Sequence, residues 1–410
     1  MKKLTLIFAA ALMLLGGVSC DKNNPRNNPY TPIDLSTKAG VFVQEGNNFA
    51  LNFIEKVGAS TQDDYIMSPL SMQFLLGMIL DGAQNETAEE ICKVLGYGAG
   101  ETDAVNEYCL AMLKQLPALD RKTTLKIANA IFVDDGWPLK KDYVDAVSRY
   151  YQAKIENLKF SDVDGSTQRI NRWCKDQTNG MIPKILDSVD PDMLAYLLNA
   201  LYFKSQWKEK FEKSASAQEP FVNEAGIKSE KLMMKQDKNF PYTENDVFQA
   251  VRLPYGNGAF AMTVLLPQKG HKVAEIVPVL RKEGGWNEFF RTMDTYDVDL
   301  WLPRFETKFS IQLKDILSAM GMPRSFDPEK AQFRAMSPNA LYLSFVKQDA
   351  IIKVDEEGTE AAAVSIGGMV KDAAPAPGEH VVFHADHPFM YIISETSTGA
   401  ILFAGRYGTK

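Results

Sequence analysis

Apolar residues in the first half of the chain are spaced mainly as in helices. Ser68 precedes Pro69, which gives an N-cap followed by proline at the first helical position, and residues 70–80 are apolar almost all round. A helix without a polar face belongs in the protein interior. Further helices are predicted over residues 86–94, 140–151 and 168–178.

Strand patterns begin at Leu125 and dominate the second half. Residues 125–133 form the first predicted strand. Later predicted strands cover Leu197–Phe203, Phe248–Leu253, Ala259–Leu266, Val298–Leu302, Ala350–Val354, Val381–Phe383, Phe389–Ser394 and Ile401–Phe403. Helices clustered early and strands mostly late predict an α+β fold with one or more large sheets. No repeat or long linker divides residues 33–410, so we predict a single domain.

Composition excludes several classes of protein. The 410 residues are 45% hydrophobic and 24% charged, a globular balance that disfavours a disordered polymer and a multispan membrane protein. The formal net charge of -7 argues against nucleic acid or an anionic membrane as the main partner.

The N-terminus has the layout of an export signal. Two lysines precede an apolar run over residues 4–15, and small residues lead to Cys20. This layout resembles a bacterial lipoprotein signal, which implies that residues 1–19 are removed and that Cys20 is lipidated. Residues 20–40 are then a flexible tether, since their Asn/Pro-rich part has few apolar side chains to bury. The implied location is a lipid anchor in the bacterial cell envelope, or the extracellular space after release; a plain secretory signal cut elsewhere is the alternative.

The remaining cysteines and histidines give little support to catalysis. Cys92, Cys109 and Cys174 are odd in number and lack CxxC spacing, so buried free thiols are predicted. Three of the four histidines are His380, His384 and His387. Strand alternation places His380 and His384 on one face and His387 on the other, so polar strand-end residues are favoured over a zinc triad. An enzyme based on this cluster would lack a nucleophile paired with a base, and no cofactor or metal is predicted.

Small residues dominate the segment from Glu356 to Pro375. On a strand, one face would carry Thr359, Ala361, Ala363, Ser365 and Gly367, all small and uncharged. The opposite face would carry Glu360, Ala362, Val364 and Ile366. The pattern fits a strand that can slide under a sheet, and composition alone fits a disordered surface loop equally well.

Residues 354–363 resemble the reactive-loop hinge of the serpins. Residues 387–389 and 399–406 look like that family's C-terminal signature. The resemblance continues in family order, covering about residues 45–408, through residues 68–71, 171–173, 177–180, 199–204, 253–255, 302–305 and 326–328. The chain is thus identified as similar to the serpins.

The resemblance implies a serpin fold over residues 41–410, with three β-sheets, about nine helices and an exposed reactive-centre loop at about 356–380. It also implies a monomeric inhibitor, not an enzyme. A protease cleaves the loop and is trapped as an acyl-enzyme while the loop enters the main sheet. The implied partners are serine proteases, with cysteine proteases as a second class. A non-inhibitory serpin acting as a binding or carrier module is the alternative, which the small, uncharged hinge disfavours.

The resemblance also assigns residues to regions of the fold. The scissile bond is Asp372–Ala373, with Lys371–Asp372 as an equal alternative, and it lies between Met369 and Ala374. The implied hinge is Glu356, Gly358, Thr359, Glu360, Ala361, Ala362 and Ala363; the implied shutter is Ser68, Ser71, Asn199 and Gln348; and the implied breach residue is Trp207.

Gln348 departs from the family, which commonly has histidine at this position. Glutamine keeps a donor and an acceptor but does not titrate near neutrality. We therefore expect the rate of loop insertion to be nearly independent of pH between about 5 and 8.

Overall fold

The computed structural model describes residues 28–282, 284–359 and 379–410. These residues contain nine α-helices, which confirms the expected number. They are α1 (Thr37–Ser60), α2 (Pro69–Gly82), α3 (Asn85–Leu95), α4 (Thr102–Gln115), α5 (Lys141–Tyr150), α6 (Val163–Gln177), α7 (Ile276–Lys282), α8 (Trp286–Phe289) and α9 (Lys314–Met320). In this part of the chain, none of the helices is both long enough and apolar enough to cross a membrane.

The same residues form fifteen strands. They are β1 (Tyr65–Met67), β2 (Thr124–Asp134), β3 (Lys154–Leu158), β4 (Ala195–Gln206), β5 (Ala217–Val222), β6 (Lys228–Glu244), β7 (Phe248–Pro254), β8 (Phe260–Pro267), β9 (Asp294–Pro303), β10 (Phe305–Gln312), β11 (Lys347–Asp355), β12 (Gly358–Thr359), β13 (His380–His384), β14 (Phe389–Glu395) and β15 (Ile401–Tyr407).

Six strands form one sheet in the order β10-β11-β12-β4-β2-β3. The other nine are connected as β1-β15-β14-β8-β7-β6-β9-β13, with β5 also pairing with β6. The long strand β6 divides this second network, because residues 242–244 pair with β7 whereas residues 233–242 pair with β9. The described strands thus form two hydrogen-bonded networks where the family resemblance implied three sheets, because β6 continues from one part of the nine-stranded network into the other.

The six-stranded sheet is covered on both faces, and each face has its own apolar cluster. Helix α6 and the segment after it cover one face, which we call the α6 face, with Trp173, Ile182 and Tyr196 among the buried residues. The other face, the core face, packs on α2 and on the β14–β15 hairpin as part of the main core. Side chains alternate between the two faces along each strand.

All predicted strands and the four predicted helices are present, with ends that differ by a few residues. The sequence patterns missed β6, because its Lys, Asp and Asn residues have low strand propensity and its pairing with β5 and β9 holds it in place. The long helix α1 was also missed; it begins at the N-cap Ser36, whose hydroxyl accepts a hydrogen bond from the Ala39 N–H.

The described part of the predicted tether contacts the body of the protein. Asn28 Nδ2 donates to Asp120 Oδ1 at 2.6 Å, and the Tyr30 hydroxyl donates to Glu395 Oε1 at 2.9 Å. The Ile33 N–H donates to Ser397 Oγ at 3.0 Å. A flexible tether therefore does not describe residues 28–36, because hydrogen bonds and the burial of Ile33 hold this segment against the body of the protein.

Candidate functional site: the hinge and the shutter

The strand β12 contains only Gly358 and Thr359 and lies between β11 and β4. Thr359 pairs with Val354 on one side and with Ser205 on the other, antiparallel to both strands. The Thr359 side chain is buried on the core face, where its hydroxyl shares a 2.5 Å hydrogen bond with the Tyr255 hydroxyl. Beyond Thr359, no described residue pairs with the facing edges of β4 and β11. The sheet thus begins a central strand without continuing it in the described part of the chain.

A buried carboxylate holds the turn between β11 and β12. Glu356 is 1% exposed, and its Oε2 accepts hydrogen bonds from Arg304 Nε at 3.1 Å and Nη2 at 2.5 Å. The Ser216 hydroxyl donates to Oε1 at 2.8 Å. Burial by itself would raise the pKa of Glu356, but hydrogen bonds from its own backbone N–H, from Arg304 and from Ser216 outweigh it and hold the pKa below its ordinary value.

Trp207 closes the same turn from the β4 side. Its ring stacks on Tyr255 with centroids 4.5 Å apart, and Nε1 donates to the Asp355 carbonyl at 2.8 Å. The Trp207 backbone N–H donates to the Glu357 carbonyl at 2.9 Å. The Glu357 carboxylate lies 2.7 Å from Lys210 Nζ. The predicted breach residue therefore contacts the hinge turn directly.

We expect Arg304→Met to destabilise the protein at neutral pH by about 1–3 kcal/mol, because Glu356 would stay buried and would lose both hydrogen bonds from the guanidinium. Since Arg304 is half exposed, solvent screening favours the lower end of this range. The folded-state pKa of Glu356 is lowered, so its contribution is present above its unfolded pKa and is lost as pH falls through the folded pKa. The difference from wild type, measured by denaturant unfolding, should shrink towards pH 4.

The matched control is Arg291→Met, which removes an exposed ion pair with Glu288. It should change stability by less than about 0.5 kcal/mol. Equal losses in the two variants would contradict a special role for the Arg304–Glu356 contact.

The four predicted shutter residues meet at the start of α2, between β4 and β11. The Ser68 N–H donates to Gln348 Oε1 at 3.0 Å, and Gln348 Nε2 donates back to the Ser68 carbonyl at 3.0 Å. The Ser71 hydroxyl donates to Asn199 Oδ1. One helix end thus bridges both strands that flank β12. The structure brings these residues together, and their functional role stays a prediction.

The polar network extends from the shutter to a half-buried acid, Asp81. Asn199 Nδ2 donates to Asn129 Oδ1 at 2.6 Å, and Asn129 Nδ2 donates to the Tyr151 carbonyl at 2.7 Å. The Tyr151 hydroxyl donates to Asn106, which donates to Asp81 Oδ1 at 2.7 Å. Burial raises the pKa of Asp81 to about 6, and its Oδ2 has no hydrogen-bond partner. Sequence patterns gave no signal for this acid.

We expect Asp81→Asn to stabilise the protein at pH 7.5 by up to about 3 kcal/mol. The folded-state pKa is raised, so in wild type stability is lost as pH rises from about 4 to about 6 and stays constant above that window. The neutral amide carries no such penalty, so the variant should match wild type near pH 4 and exceed it at pH 7.5. Thermal unfolding across this range measures the effect.

The exposed Asp135 provides the control, since Asp135→Asn should not alter the shape of the stability profile. If the stability of Asp81→Asn depends on pH in the same way as that of the wild type, the raised pKa of Asp81 is contradicted. The expected pH independence of loop insertion remains a separate prediction, because it concerns a rate and not the stability of the fold.

The three C-terminal histidines do not converge on one point. His380 Nδ1 lies 3.3 Å from Asp297, and His384 Nε2 lies 2.9 Å from Asp299. His387 Nδ1 contacts Asp386 at 2.7 Å instead. Among the described residues, Asp237, Asp297 and His380 place ligand atoms within 4.8 Å of one another, but exposed acidic groups commonly lie this close without an ion.

The three cysteines within the described residues are free and buried, as predicted. Burial raises the pKa of Cys109 and of Cys174, which keeps their thiols protonated and inert.

Several predicted site residues lie outside the described residues. They are Cys20, the hinge residues Glu360, Ala361, Ala362 and Ala363, and the candidate bond residues Lys371, Asp372 and Ala373. Sequence reasoning assigned no role to Arg304 and Tyr255, although both lie in the segments 302–305 and 253–255 that carry the family resemblance.

The described sheet thus begins a short central strand, β12, from a turn that Arg304 and Trp207 hold through hydrogen bonds. Residues 44–409 match the family model described as Serpin (serine protease inhibitor). An uncharacterised serpin-like protein of Thermococcus kodakarensis is 31% identical, with 99% of this chain and 98% of that protein covered. The crystal structure of a thermophilic serpin, tengpin, in the native state has a TM-score of 0.81 and 28% identity, covering 93% of this chain and 97% of that one.

A second solved structure has the same fold at lower identity. Human thyroxine-binding globulin complexed with thyroxine has a TM-score of 0.79 and 24% identity, covering 91% of this chain and all of that chain. The family model and the 31% identical relative show that the chain belongs to the serpin family. Members of this family are generally protease inhibitors and not enzymes, and some, such as thyroxine-binding globulin, are not inhibitory.

Proposed function

We propose that this protein inhibits proteases as a suicide substrate. A protease cleaves the reactive loop and forms an acyl-enzyme with it, and the cleaved loop then extends β12 as a full central strand of the six-stranded sheet. The observation that carries this proposal is the position of β12, which already lies between β4 and β11. Beyond Thr359, the facing edges of these two strands have no partner among the described residues.

Strand insertion can supply the energy that inhibition needs. About 15 residues at ~3.3 Å each carry the bound protease roughly 50 Å from its point of attack. If about 12 residues gain ladder hydrogen bonds at roughly 1 kcal/mol net each, the driving force is on the order of 10 kcal/mol. A protease is itself stable by only about 5–15 kcal/mol, so a driving force of this size suffices to distort its active site.

The test is to incubate the protein with a panel of serine and cysteine proteases. An adduct that survives SDS, together with a released C-terminal peptide whose sequence begins after the cut, is the expected result. That sequence also decides between Asp372–Ala373 and Lys371–Asp372. Cleavage without any adduct across the panel would instead support the non-inhibitory alternative, a binding or carrier module.

We also propose that the protein is exported and anchored through a lipid on Cys20. The support is the order of charged, apolar and small residues before this cysteine. Replacing the thiol in Cys20→Ala should move the protein from the membrane fraction of the producing cell to the soluble fraction. Membrane association that persists in this variant would contradict the proposal, and Cys174→Ala is the control that should leave the location unchanged.

A further inference from the structure

A cavity of about 170 Å³ lies between β4 and α2, at the end of the six-stranded sheet where β4 begins. Its lining is mainly apolar and includes Leu75, Ile79, Ala195, Leu197, Phe333 and Met336. A single water molecule needs only roughly 10–15 Å³ of such space, so the cavity has room for a side chain. Leu75 and Ile79 belong to the core cluster, which places the cavity on the core face.

The pairing of β12 fixes which residue of the loop would reach this cavity. Thr359 lies opposite Ser205 on β4, and the two strands are antiparallel. Six residues further along the loop, Ser365 would lie opposite Asn199, because 359 + 6 is 365 and 205 − 6 is 199. Ten residues along, Met369 would lie opposite Ala195, the first residue of β4 and part of the cavity wall.

Strand alternation fixes the direction of each side chain. Thr359 faces the core through its contact with Tyr255, so Ser365 and Met369 would face the core as well. On the other side of the inserted strand, Thr359 lies opposite Val354, which places Ser365 opposite Gln348. Beyond Thr359, the only hydroxyl on this face up to residue 369 is that of Ser365, which would meet the polar shutter. The only large apolar side chain there is that of Met369, which would meet the apolar cavity.

The residue before Met369 fits the opposite face. Gly368 would lie opposite Tyr196 on the α6 face, where the rings of Tyr196 and Phe345 meet with centroids 5.8 Å apart. A side chain at residue 368 would have to separate these rings, and glycine requires no such movement.

We propose that this cavity is the binding site for the Met369 side chain once the cleaved loop has entered the sheet. The inference rests on the proposed function, since it assumes that the loop inserts. The unbranched thioether of methionine adapts to irregular apolar space. The cavity then acts as the final anchor of the inserted strand, close to the bond that is cut.

The test compares the melting temperature of the full chain before and after loop cleavage. A metalloprotease makes the cut, because its metal-bound water forms no acyl-enzyme that could be trapped. Mass spectrometry confirms that the cleaved bond lies on the C-terminal side of Met369, so that Met369 stays attached to β12. Met369→Ala should leave the uncleaved protein unchanged and lower the melting temperature of the cleaved form by about 4 °C. Met369→Leu, which keeps most of the volume, should restore it.

A variant on the cavity side tests the contact itself. Leu75→Phe fills part of the cavity, so it should lower the melting temperature of the cleaved form more than that of the uncleaved form. Met369→Ala should relieve this loss in the double variant, as expected when two side chains compete for one space. Strictly additive effects of the two substitutions would overturn the assignment of Met369 to the cavity.

Failure of this inference can be told apart from failure of the proposed function. If cleavage raises the melting temperature but Met369→Ala does not reduce that rise, the loop inserts and Met369 does not use the cavity. If cleavage of the wild-type protein gives no rise at all, the loop does not insert and the proposed function is itself wrong.

Discussion

Thr359→Arg is expected to change this protein from an inhibitor into a substrate that proteases cleave and release. Thr359 is 3% exposed, between Val354 and Ser205, and its hydroxyl bonds Tyr255. Burying an unpaired guanidinium at this position costs several kcal/mol, so residue 359 of the variant should leave its place between β11 and β4. The cleaved loop would then meet this cost when it enters the sheet. Each 1.4 kcal/mol added to the barrier slows insertion about tenfold, so hydrolysis of the ester should overtake it.

The measurement is the number of inhibitor molecules consumed for each protease molecule trapped. This number should rise more than about tenfold in Thr359→Arg. Thr359→Ser and Thr359→Val are the matched controls, because one keeps the hydroxyl and the other keeps the shape. Both should stay close to wild type, and undiminished inhibition by the arginine variant would refute insertion of the loop.

Gly358→Ala is expected to have the second largest effect. The backbone of Gly358 has φ +154°, and an added Cβ would lie 2.1 Å from the carbonyl oxygen of Ser205 and 2.7 Å from the Cα of Gln206. Both are backbone atoms of β4 that cannot rotate away, so the first pair of β12 has to break. The hinge should then leave the sheet and insertion should slow by about tenfold or more, for a barrier increase of roughly 1.4 kcal/mol.

Two measurements check this prediction. Hydrogen exchange of the Thr359 amide should become faster in the uncleaved variant, because it loses its place between β11 and β4. The consumption of inhibitor per trapped protease should rise as well. Gly226→Ala is the control: Gly226 also has a positive φ but lies in the loop before β6 with open space around it, so it should leave inhibition unchanged. Unaltered exchange at Thr359 in Gly358→Ala would contradict the steric argument.

Local patterns were sufficient for much of the fold. The apolar run after Ser68 predicted α2, since a helix without a polar face has to be buried, and the late apolar runs predicted β8, β14 and β15. Local patterns did not predict the strand β6, because pairing with β5 and β9, and not its own composition, holds it in place. Long-range pairing of this kind leaves no periodic signal within the segment itself.

The candidate site divides in the same way. The small, uncharged face that begins at Thr359 could be read from alternation alone, and the family resemblance assigned Ser68, Ser71, Asn199 and Gln348 to one region. The resemblance could not show which contacts hold the hinge. Arg304 lies 52 residues from Glu356 along the chain, and only the folded sheet brings the two charges together.

The sequence by itself determined the class of fold, the small-residue loop face, the free thiols and the departure of Gln348 from the family's usual histidine. These features depend on residue type and on spacing along one segment. Only the tertiary structure decided that β12 already lies between β11 and β4, that Arg304 holds Glu356, and that the carboxylate of Asp81 has a raised pKa. It also decided that a cavity lies where β4 begins. Each of these depends on the distance between segments far apart in sequence, which local patterns do not encode.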